Sequence, residues 1–434
     1  MRWVRSVKDS VRPSAFLIVG YGNSPTAVSR QFWNSFPLLA MALAIASLGL
    51  FAPVVASAQV PTPVPGVRSE MHRVRTLPLT KFYDTPDPLP AGKPGELIRS
   101  QQFDEYELPL SVSAVRILYH SRSASGEDVA VSGVVLYPYG KKPPAGGWPV
   151  IAWAHAATGV ARQCAPSLMR NVGHGPFLSM YVNLGYAVVA TDYAGLGTRF
   201  RNAFLDGPSN ATDVINSVLA ARAAAPQLGA RWIVMGEAEG ALAATAVAVM
   251  ENEVRDPNYL GAIAISVLVS ARETYEHPVN GSARELLPSV AYEIKTVYPQ
   301  FQVTDMLTDK GLARYNQLDE TCSPATTTPD LSAAEIVKPA WETNSFVRKY
   351  FDRNELGQTR AYGPIFVITG DADPAIPPTI RAQAFARMCK QGDRVQWERY
   401  PNLDAGRVIG DSVRDQIGWI ESRFAGRPSP TNCP

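Results

Sequence analysis

The stretch WIVMGEAEGALAATAVAV, residues 232–249, joins an apolar run to a run of small residues through a turn bounded by two glycines. The first run has the length and composition of a buried strand, and the second those of a buried helix. A strand, a glycine-flanked turn and a helix form the setting in which many hydrolases carry a nucleophilic serine. The middle residue of this turn is Ala238, whose methyl group cannot act as a nucleophile. The stretch therefore predicts an alternating α/β fold without predicting the chemistry usual at this turn.

The composition is that of a globular protein with a large core. Of 434 residues, 46% are hydrophobic and 18% are charged, which fits one large domain or two of ordinary size. The formal charge is +2, but residues 1–58 hold five of the 41 basic side chains and one of the 39 acidic ones. Because the remainder of the chain is slightly acidic, we expect no nucleic-acid partner.

Residues 1–58 have the pattern of an export signal. An uninterrupted apolar segment, FPLLAMALAIASLGLFAPVV at 36–55, follows Arg30, and ASA at 56–58 supplies the small residues of a cleavage site. An uncleaved membrane anchor is the alternative, because the apolar run is nearly long enough to span a bilayer. We expect a signal peptide cleaved near Ala58, since the small residues and a proline-rich segment follow at once. The mature protein is then secreted or periplasmic, without a membrane span.

The chain has four cysteines, Cys164, Cys322, Cys389 and Cys433. In an exported protein they are expected to form disulfides, because the compartment is oxidising. Of the three possible pairings we expect Cys164–Cys322 and Cys389–Cys433. Free buried cysteines are the alternative.

Strands and helices alternate along most of the chain. Continuously apolar runs such as WPVIAWAH and GYAVVATDY are typical of parallel strands that are covered on both faces. Predicted helices include residues 211–225, with Asp213 in the first turn, and 411–424, with an apolar stripe. The pattern predicts a mostly parallel, doubly wound α/β sheet flanked by helices, with ligands at the carboxyl ends of its strands.

The same pattern divides the chain into segments. A proline-rich, irregular arm at 59–110 follows the signal, the α/β core occupies 111–270 and 361–426, and a tail covers 427–434. Residues 271–360 interrupt the alternation with helical pieces. An insertion of that size above the strand ends is expected to form a lid or cap. A helical subdomain without a role in binding is the alternative.

Several motifs, in this order along the chain, resemble the secretory lipase family of α/β-hydrolases: FYDTPDPLPAGKPGELIR, GVVLYP, VIAWAHAATGVARQCAPS, GYAVVATDYAGLGT, the turn at 236–240, GDADPAIPP and YPNLDAGRVIGDS. The likeness covers most of the mature chain. Members of this family are exported and hydrolyse acyl esters, often triacylglycerols, beneath a lid. The resemblance therefore implies an α/β-hydrolase fold and an acyl-ester or lipid small molecule as ligand.

Catalysis in this fold requires a serine on the strand-to-helix turn, an acid after a later strand and a histidine after the last strand. The histidine removes the proton of the serine, and the acid orients the histidine. By the resemblance, the serine position is Ala238, the acid position is Asp373 and the histidine position is Ala405. The nucleophile and the base are both replaced.

The surroundings of the nucleophile position are altered as well. The oxyanion loop, HGT in the family, is His155-Ala156-Ala157 here, and His155 is expected to support this loop rather than act as a base. Glu237 and Glu239 flank the turn, and their negative charge opposes an oxyanion near the backbone N–H of Glu239. We expect both carboxylates to point to solvent or pair with arginines. The alternative is that Glu239, facing the acid position, acts as a general base on water.

No histidine follows the strand that carries the acid position, although the chain has five. His277 lies in the insertion and would have to swing into the site. Without an imidazole to orient, Asp373 is a remnant of the family pattern. In a serine hydrolase, loss of nucleophile and base together costs on the order of 10⁶ in turnover.

Three functions follow from these observations. The first is an exported, non-catalytic member of the family with a pocket for an acyl or lipid ligand beneath residues 271–360. The second is an active lipase or carboxylesterase with an unrecognised nucleophile or base. The third is a secreted scaffold or partner-binding protein in which the pocket is closed. No His, Cys or carboxylate cluster has the spacing of metal ligands, so neither a metal nor another cofactor is expected.

Overall fold

A computed structural model describes residues 76–267, 272, 282–320, 322, 331–373 and 376–434. The predicted signal segment and His277 lie outside the described residues. Within these ranges the sheet has nine strands: β1 (Leu97–Gln102), β2 (Val112–Arg122), β3 (Asp128–Pro138), β4 (Trp148–Ala154), β5 (Ala187–Thr191), β6 (Leu228–Glu237), β7 (Tyr259–Ile265), β8 (Pro364–Gly370) and β9 (Arg394–Tyr400).

The helices lie between these strands and after the last one. They are α1 (Gly175–Asn183), α2 (Gly207–Ala224), α3 (Glu239–Val254), α4 (Leu287–Val297), α5 (Val303–Met306), α6 (Asp309–Tyr315), α7 (Ala333–Ile336), α8 (Ser345–Arg353), α9 (Pro378–Lys390), α10 (Ala405–Asp411) and α11 (Val413–Phe424). No helix in the described part of the chain is both long and apolar enough to cross a membrane.

The strands lie in the order β1-β2-β3-β5-β4-β6-β7-β8-β9. Neighbours from β1 to β5 pair antiparallel, and those from β5 to β9 pair parallel. The chain crosses over so that β4 lies between β5 and β6. Because β4 to β9 are parallel, their carboxyl ends lie together at one edge of the sheet. The predicted mostly parallel α/β sheet is confirmed.

Helices cover both faces of this sheet, which explains why its central strands are apolar throughout. α2, α3 and α9 pack on one face, and α1, α10 and α11 pack on the other. In α11, Ile420 is fully buried, with Ile417 and Phe424 packed beside it, as the predicted apolar stripe requires.

The arm predicted at 59–110 is not irregular throughout. Residues 97–102 form β1, which pairs antiparallel with β2 and extends the sheet. The proline-rich composition of the arm does not predict this strand. The prolines precede residues 97–102, so the backbone N–H groups of β1 can still pair with β2.

The helix predicted at 211–225 begins four residues earlier, at Gly207. The side chain of Asp206 accepts a hydrogen bond from the N–H of Ser209 and so caps the helix. Asp213 consequently lies in the second turn rather than the first, and it is buried.

The residues between β7 and β8 contain the helical insertion, with α4 to α8 packed around an apolar cluster of their own. The same cluster contains Val160, Phe204 and Leu205, which lie in the loops after β4 and β5. Because these loops leave the sheet at its carboxyl edge, the insertion packs above that edge.

Both expected disulfides, Cys164–Cys322 and Cys389–Cys433, are present. The first joins the loop after β4 to the insertion. The second fastens the C-terminal tail to α9, and Oδ1 of Asn432 in this tail accepts a hydrogen bond from the N–H of Trp397 in β9 (2.8 Å). The tail is therefore held against β9, the outermost strand of the sheet.

Candidate active site

The turn between β6 and α3 has the sharp geometry in which hydrolases hold a nucleophile. Ala238 has φ +51° and ψ −109°, a conformation that residues with a Cβ rarely adopt. Both flanking glycines are required by close approach of the backbone. A Cβ on Gly236 would lie 2.0 Å from the carbonyl oxygen of Gly240, and a Cβ on Gly240 would lie 1.9 Å from that of Ala154. The turn is thus intact, and it presents a methyl group.

The nucleophile and histidine positions lie close together at the carboxyl edge of the sheet. The N–H of Ala238 donates to the carbonyl oxygen of Ile265 at the end of β7 (2.9 Å). The next residue, Ser266, donates its hydroxyl to the carbonyl oxygen of Ala405 (3.1 Å). The end of β7 therefore links the two positions that the family resemblance assigns to the nucleophile and the histidine.

The acid position follows β8 in a loop braced by a buried arginine. Arg381 is 3% exposed, donates to the carbonyl oxygen of Asp373 (3.1 Å), and lies 3.7 Å from the Asp373 carboxylate. The same loop is bonded to the loop before Ala405, because the N–H of Ala372 donates to the carbonyl oxygen of Leu403 (2.9 Å). Asp373 thus lies beside the histidine position, with a cation near its carboxylate.

His155 is enclosed by the loop after β4. Its Nδ1 lies 2.6 Å from the carbonyl oxygen of Ala156, and its Nε2 lies 3.2 Å from that of Asp192. The ring packs against Tyr193, with centroids 4.3 Å apart. Burial lowers the pKa of His155 to about 4, so the ring is neutral near pH 7. These contacts fit a supporting role in the loop and leave neither nitrogen open to a substrate.

The expectation that both flanking glutamates point to solvent or pair with arginines is wrong for Glu239. This residue is 3% exposed, and its Oε1 accepts hydrogen bonds from the N–H of Leu205 (2.6 Å) and Nδ2 of Asn210 (2.9 Å). Burial raises the pKa of Glu239 to about 7. A buried carboxyl group requires donors, and the loop before α2 and the first turn of α2 supply them. Glu239 therefore fastens this segment to the turn at 236–240, which we call the elbow.

Glu237 forms a contact that sequence reasoning does not find. Its Oε2 lies 3.5 Å from Nε2 of His174, the residue that precedes α1. Burial raises the pKa of Glu237 to about 7 and lowers the pKa of His174. No sequence signal joins these residues, because the path of the loop after β4 decides where His174 lies. Glu237 is likewise not paired with an arginine in the described part of the chain.

The insertion brings a third glutamate to this region. Glu293 of α4 is fully buried, and neither of its carboxylate oxygens has a hydrogen-bond partner among the described residues. Burial and the nearby charges of Asp206 and Glu239 raise the pKa of Glu293, whereas Arg353 and Arg201 oppose the rise. The interior between the insertion and the elbow is therefore polar and acidic.

No Ser, Thr or Cys side chain is hydrogen-bonded to a histidine ring nitrogen in the ranges that the structure describes. Apart from His155 and His174, these ranges contain His120, whose Nδ1 lies 3.0 Å from Asp128. His277 falls outside them. The same ranges contain no group of three or more His, Cys, Asp or Glu side chains that could hold a metal ion.

Comparisons with known proteins agree with this geometry. A family model described as secretory lipase matches residues 175–432. No curated protein matches the sequence. Among solved structures, lipase A of Candida antarctica in its closed state is similar, with a TM-score of 0.70, 19% identity, and coverage of 83% of this chain and 89% of that chain.

A second similar structure is the rice cell wall degrading esterase LipA from Xanthomonas oryzae. It has a TM-score of 0.62 and 18% identity, with coverage of 77% of this chain and 97% of that chain. At these identities the structural matches establish the fold, which is that of the α/β-hydrolases.

Proposed function

Because the chain belongs to the secretory lipase family, we propose that it is an exported member that does not hydrolyse esters and that binds an acyl or lipid ligand beneath its helical insertion. One observation carries the proposal. The strained turn after β6 is intact, yet it presents the methyl group of Ala238 at the place where attack on a carbonyl carbon would begin.

The loss of chemistry is supported at more than one position. Without a hydroxyl at Ala238 no acyl-enzyme can form, and without an imidazole at Ala405 no general base serves a nucleophile. In a serine hydrolase these losses together lower turnover on the order of 10⁶, and what survives comes from the oxyanion hole and from binding. Glu237 and Glu239 flank Ala238 in the chain, and neither supplies the positive potential that an oxyanion hole requires, so the rate that survives from this source is not raised by them.

The retained ligand site is proposed from the packing of the insertion. A cavity of about 120 Å³ lies between α3 and residues 352–359, and apolar side chains of Leu242, Val249, Met250 and Leu356 contribute to its lining. We propose residues 271–360 as the lid over this region. An apolar cavity near a polar, acidic interior favours a ligand with an acyl chain and a polar end.

Export is supported by the two disulfides, which persist in oxidising compartments and are rare in the cytosol. The family is described as secretory. We therefore propose that a signal peptide, cleaved near Ala58, directs the protein to the periplasm or the exterior.

The test of inactivity uses a fluorophosphonate probe, which labels activated serines covalently. We expect no labelling of the purified protein, and no hydrolysis of tributyrin or short-chain nitrophenyl esters above the rate of an unrelated protein. Covalent labelling, or turnover that follows the protein through purification, would reject the proposal. Incubation with lipid extracts separates the bound-ligand proposal from a closed scaffold, since only the former enriches acyl lipids.

A second candidate function, an active hydrolase with an unrecognised base, is favoured by the Glu237–His174 pair. Their 3.5 Å contact lies beside the elbow, and burial raises the pKa of Glu237 to about 7, where a general base is effective. Ester hydrolysis without probe labelling, abolished in Glu237→Gln and kept in Glu253→Gln on the exposed part of α3, would establish this function instead.

A further inference from the structure

A cleft of about 650 Å³ opens at the amino ends of β7, β8 and β9. The first residues of these three parallel strands, Tyr259, Pro364 and Arg394, line it. Since the candidate active site lies at the carboxyl ends of the strands, this cleft lies on the opposite edge of the sheet. The C-terminal tail contributes Arg427 and Ser429 to its wall.

Five arginines and no acidic residue line the cleft: Arg255, Arg360, Arg394, Arg423 and Arg427. None of the five forms an ion pair with a described carboxylate. Arg394 donates to the carbonyl oxygen of Ser429 (3.0 Å), and Arg255 donates to that of Asn252 (3.1 Å). These bonds orient two guanidinium groups but do not neutralise them.

Two carboxylates lie near the cleft without lining it. Asp393 accepts a hydrogen bond from the N–H of Ala361 (2.9 Å), and Glu251 accepts one from the N–H of Asp256 (2.9 Å). Each accepts from a backbone donor and forms no ion pair with the five guanidinium groups, although the charge of Arg360 opposes the rise that burial causes in the pKa of Asp393, and Glu251 adds to the effect of burial in raising the pKa of Tyr259. The cleft keeps an excess of positive charge.

Two polar groups in the cleft are buried and unsatisfied. Arg423 is 7% exposed and Tyr259 is 5% exposed, and neither Nε of Arg423 nor the hydroxyl of Tyr259 has a hydrogen-bond partner among the described residues. Burial and the charge of Arg394 lower the pKa of Arg423. A buried guanidinium without a counter-ion costs free energy that a bound anion would recover.

We propose that this cleft binds a phosphorylated small molecule, with the phosphoryl oxygens held by Arg423, Arg394 and Arg427 and by the Tyr259 hydroxyl. Guanidinium groups match the oxygens of a phosphoryl group in pairs, which makes clustered arginines suited to this chemistry. The cleft exceeds the size of one phosphate, so a diphosphate or a phosphate ester fills it better than the free ion. This site is separate from the proposed lipid site.

The experiment is calorimetric titration of the full chain with inorganic pyrophosphate at constant ionic strength. We expect saturable binding that weakens at least about tenfold in the double variant Arg360→Gln with Arg427→Gln, because the variant removes one proposed phosphoryl ligand, Arg427, and a second positive charge from the cleft wall. Both residues are exposed, so the variant should fold. Arg348→Gln with Lys349→Gln, two exposed changes on α8, removes the same charge elsewhere and should leave the affinity unchanged. Equal weakening in both variants would overturn the proposal, and so would the absence of saturable pyrophosphate binding together with the absence of cleft-dependent binding to phosphatidic acid vesicles.

A second measurement identifies the source of the phosphoryl group. Phosphatidylcholine vesicles with and without phosphatidic acid are sedimented with the protein. Binding that requires phosphatidic acid and is lost in the cleft variant assigns the site to a lipid headgroup. Pyrophosphate binding without vesicle binding assigns it to a soluble phosphate. Vesicle binding that the cleft variant retains, without pyrophosphate binding, counts against the site.

Discussion

At Ala238 the chain holds a backbone conformation that costs about 1–3 kcal/mol for a residue with a Cβ. Backbone contacts on both sides of Ala238 hold it in this conformation. The N–H of Ala238 is bonded to Ile265, and the backbone of Gly240 is pressed against that of Ala154. In an enzyme such strain exposes a nucleophile, whereas here it exposes a methyl group. The strain is therefore a property of the fold, present here at a residue without a nucleophilic side chain.

The first prediction concerns this strain. Ala238→Gly removes the Cβ that makes the positive φ unfavourable and costs only about 0.5–1 kcal/mol in unfolded-state entropy. We expect the free energy of unfolding to be unchanged or raised by about 1 kcal/mol, measured by urea denaturation.

The matched control is Ala243→Gly in the buried middle of α3. That change should lower the free energy of unfolding by about 2 kcal/mol, from helix propensity and a lost buried methyl group. Equal destabilisation by the two substitutions would show that Ala238 is not strained.

At the scale of elements, α4 of the insertion meets the start of α2 and the elbow through acidic side chains. Glu293 is buried near Asp206 and Glu239, while Arg353 donates to both carboxylate oxygens of Asp206 (2.8 and 2.9 Å). One ion pair, buried at Asp206 and partly exposed at Arg353, thus fastens the insertion to the core, and a buried glutamate beside it has no hydrogen-bond partner among the described residues. The junction should respond to pH.

The sign of this response follows from the raised pKa values. Burial raises the pKa of Glu293 above its usual range and that of Glu239 to about 7. Their stabilising effect is complete below about pH 4.5, where both groups are also protonated in the unfolded chain. For Glu239 this stabilising effect is lost as the pH rises through 7, and for Glu293 as the pH rises toward its raised pKa, because the unfolded state ionises first.

We therefore predict that Glu293→Gln reduces the loss of stability between pH 5 and pH 8, because the glutamine side chain does not ionise in either state. Denaturation at the two pH values measures this difference. Glu253→Gln, an exposed change on α3, serves as the control and should follow the parent chain. An unaltered pH dependence in Glu293→Gln would mean that Glu293 ionises in the folded state as it does in the unfolded chain.

At the scale of the whole molecule, different side chains lie at the two ends of the parallel strands. The carboxyl edge carries Ala238, Asp373 and Ala405 beneath the insertion. The amino edge of β7 to β9 carries the arginine cleft, partly walled by the disulfide-bound tail. A lipid ligand and a phosphorylated ligand could thus bind the same chain without competing for space.

The fold also determines whether a serine at Ala238 and a histidine at Ala405 could act together. We predict that Ala238→Ser combined with Ala405→His gains fluorophosphonate labelling and ester hydrolysis at least about 10²-fold above either single variant, since nucleophile and base act as a unit. The bonds from Ala238 to Ile265 and from Ser266 to Ala405 place both changes at one edge. If the double variant remains inert while folded, the altered oxyanion loop or the nearby glutamates prevent the reaction.

The sequence by itself determined the class of fold and the residues that stand at the positions which the family resemblance assigns to the nucleophile and the histidine. These are local properties, because apolar runs, glycines at a close turn and the identity of one residue in a motif are readable along the chain. It did not reveal β1, since the prolines before that strand dominate the composition of the arm.

Only the tertiary structure decided where the charged side chains lie. Glu239 is directed to Leu205 and Asn210, Glu237 lies beside His174, and five arginines from distant segments share one cleft. Burial and proximity set the charge state of such groups, and both arise from contacts between residues far apart in the chain. Tertiary packing therefore places the charged side chains at each end of the strands, whereas the sheet itself follows from the pattern of apolar residues along the sequence.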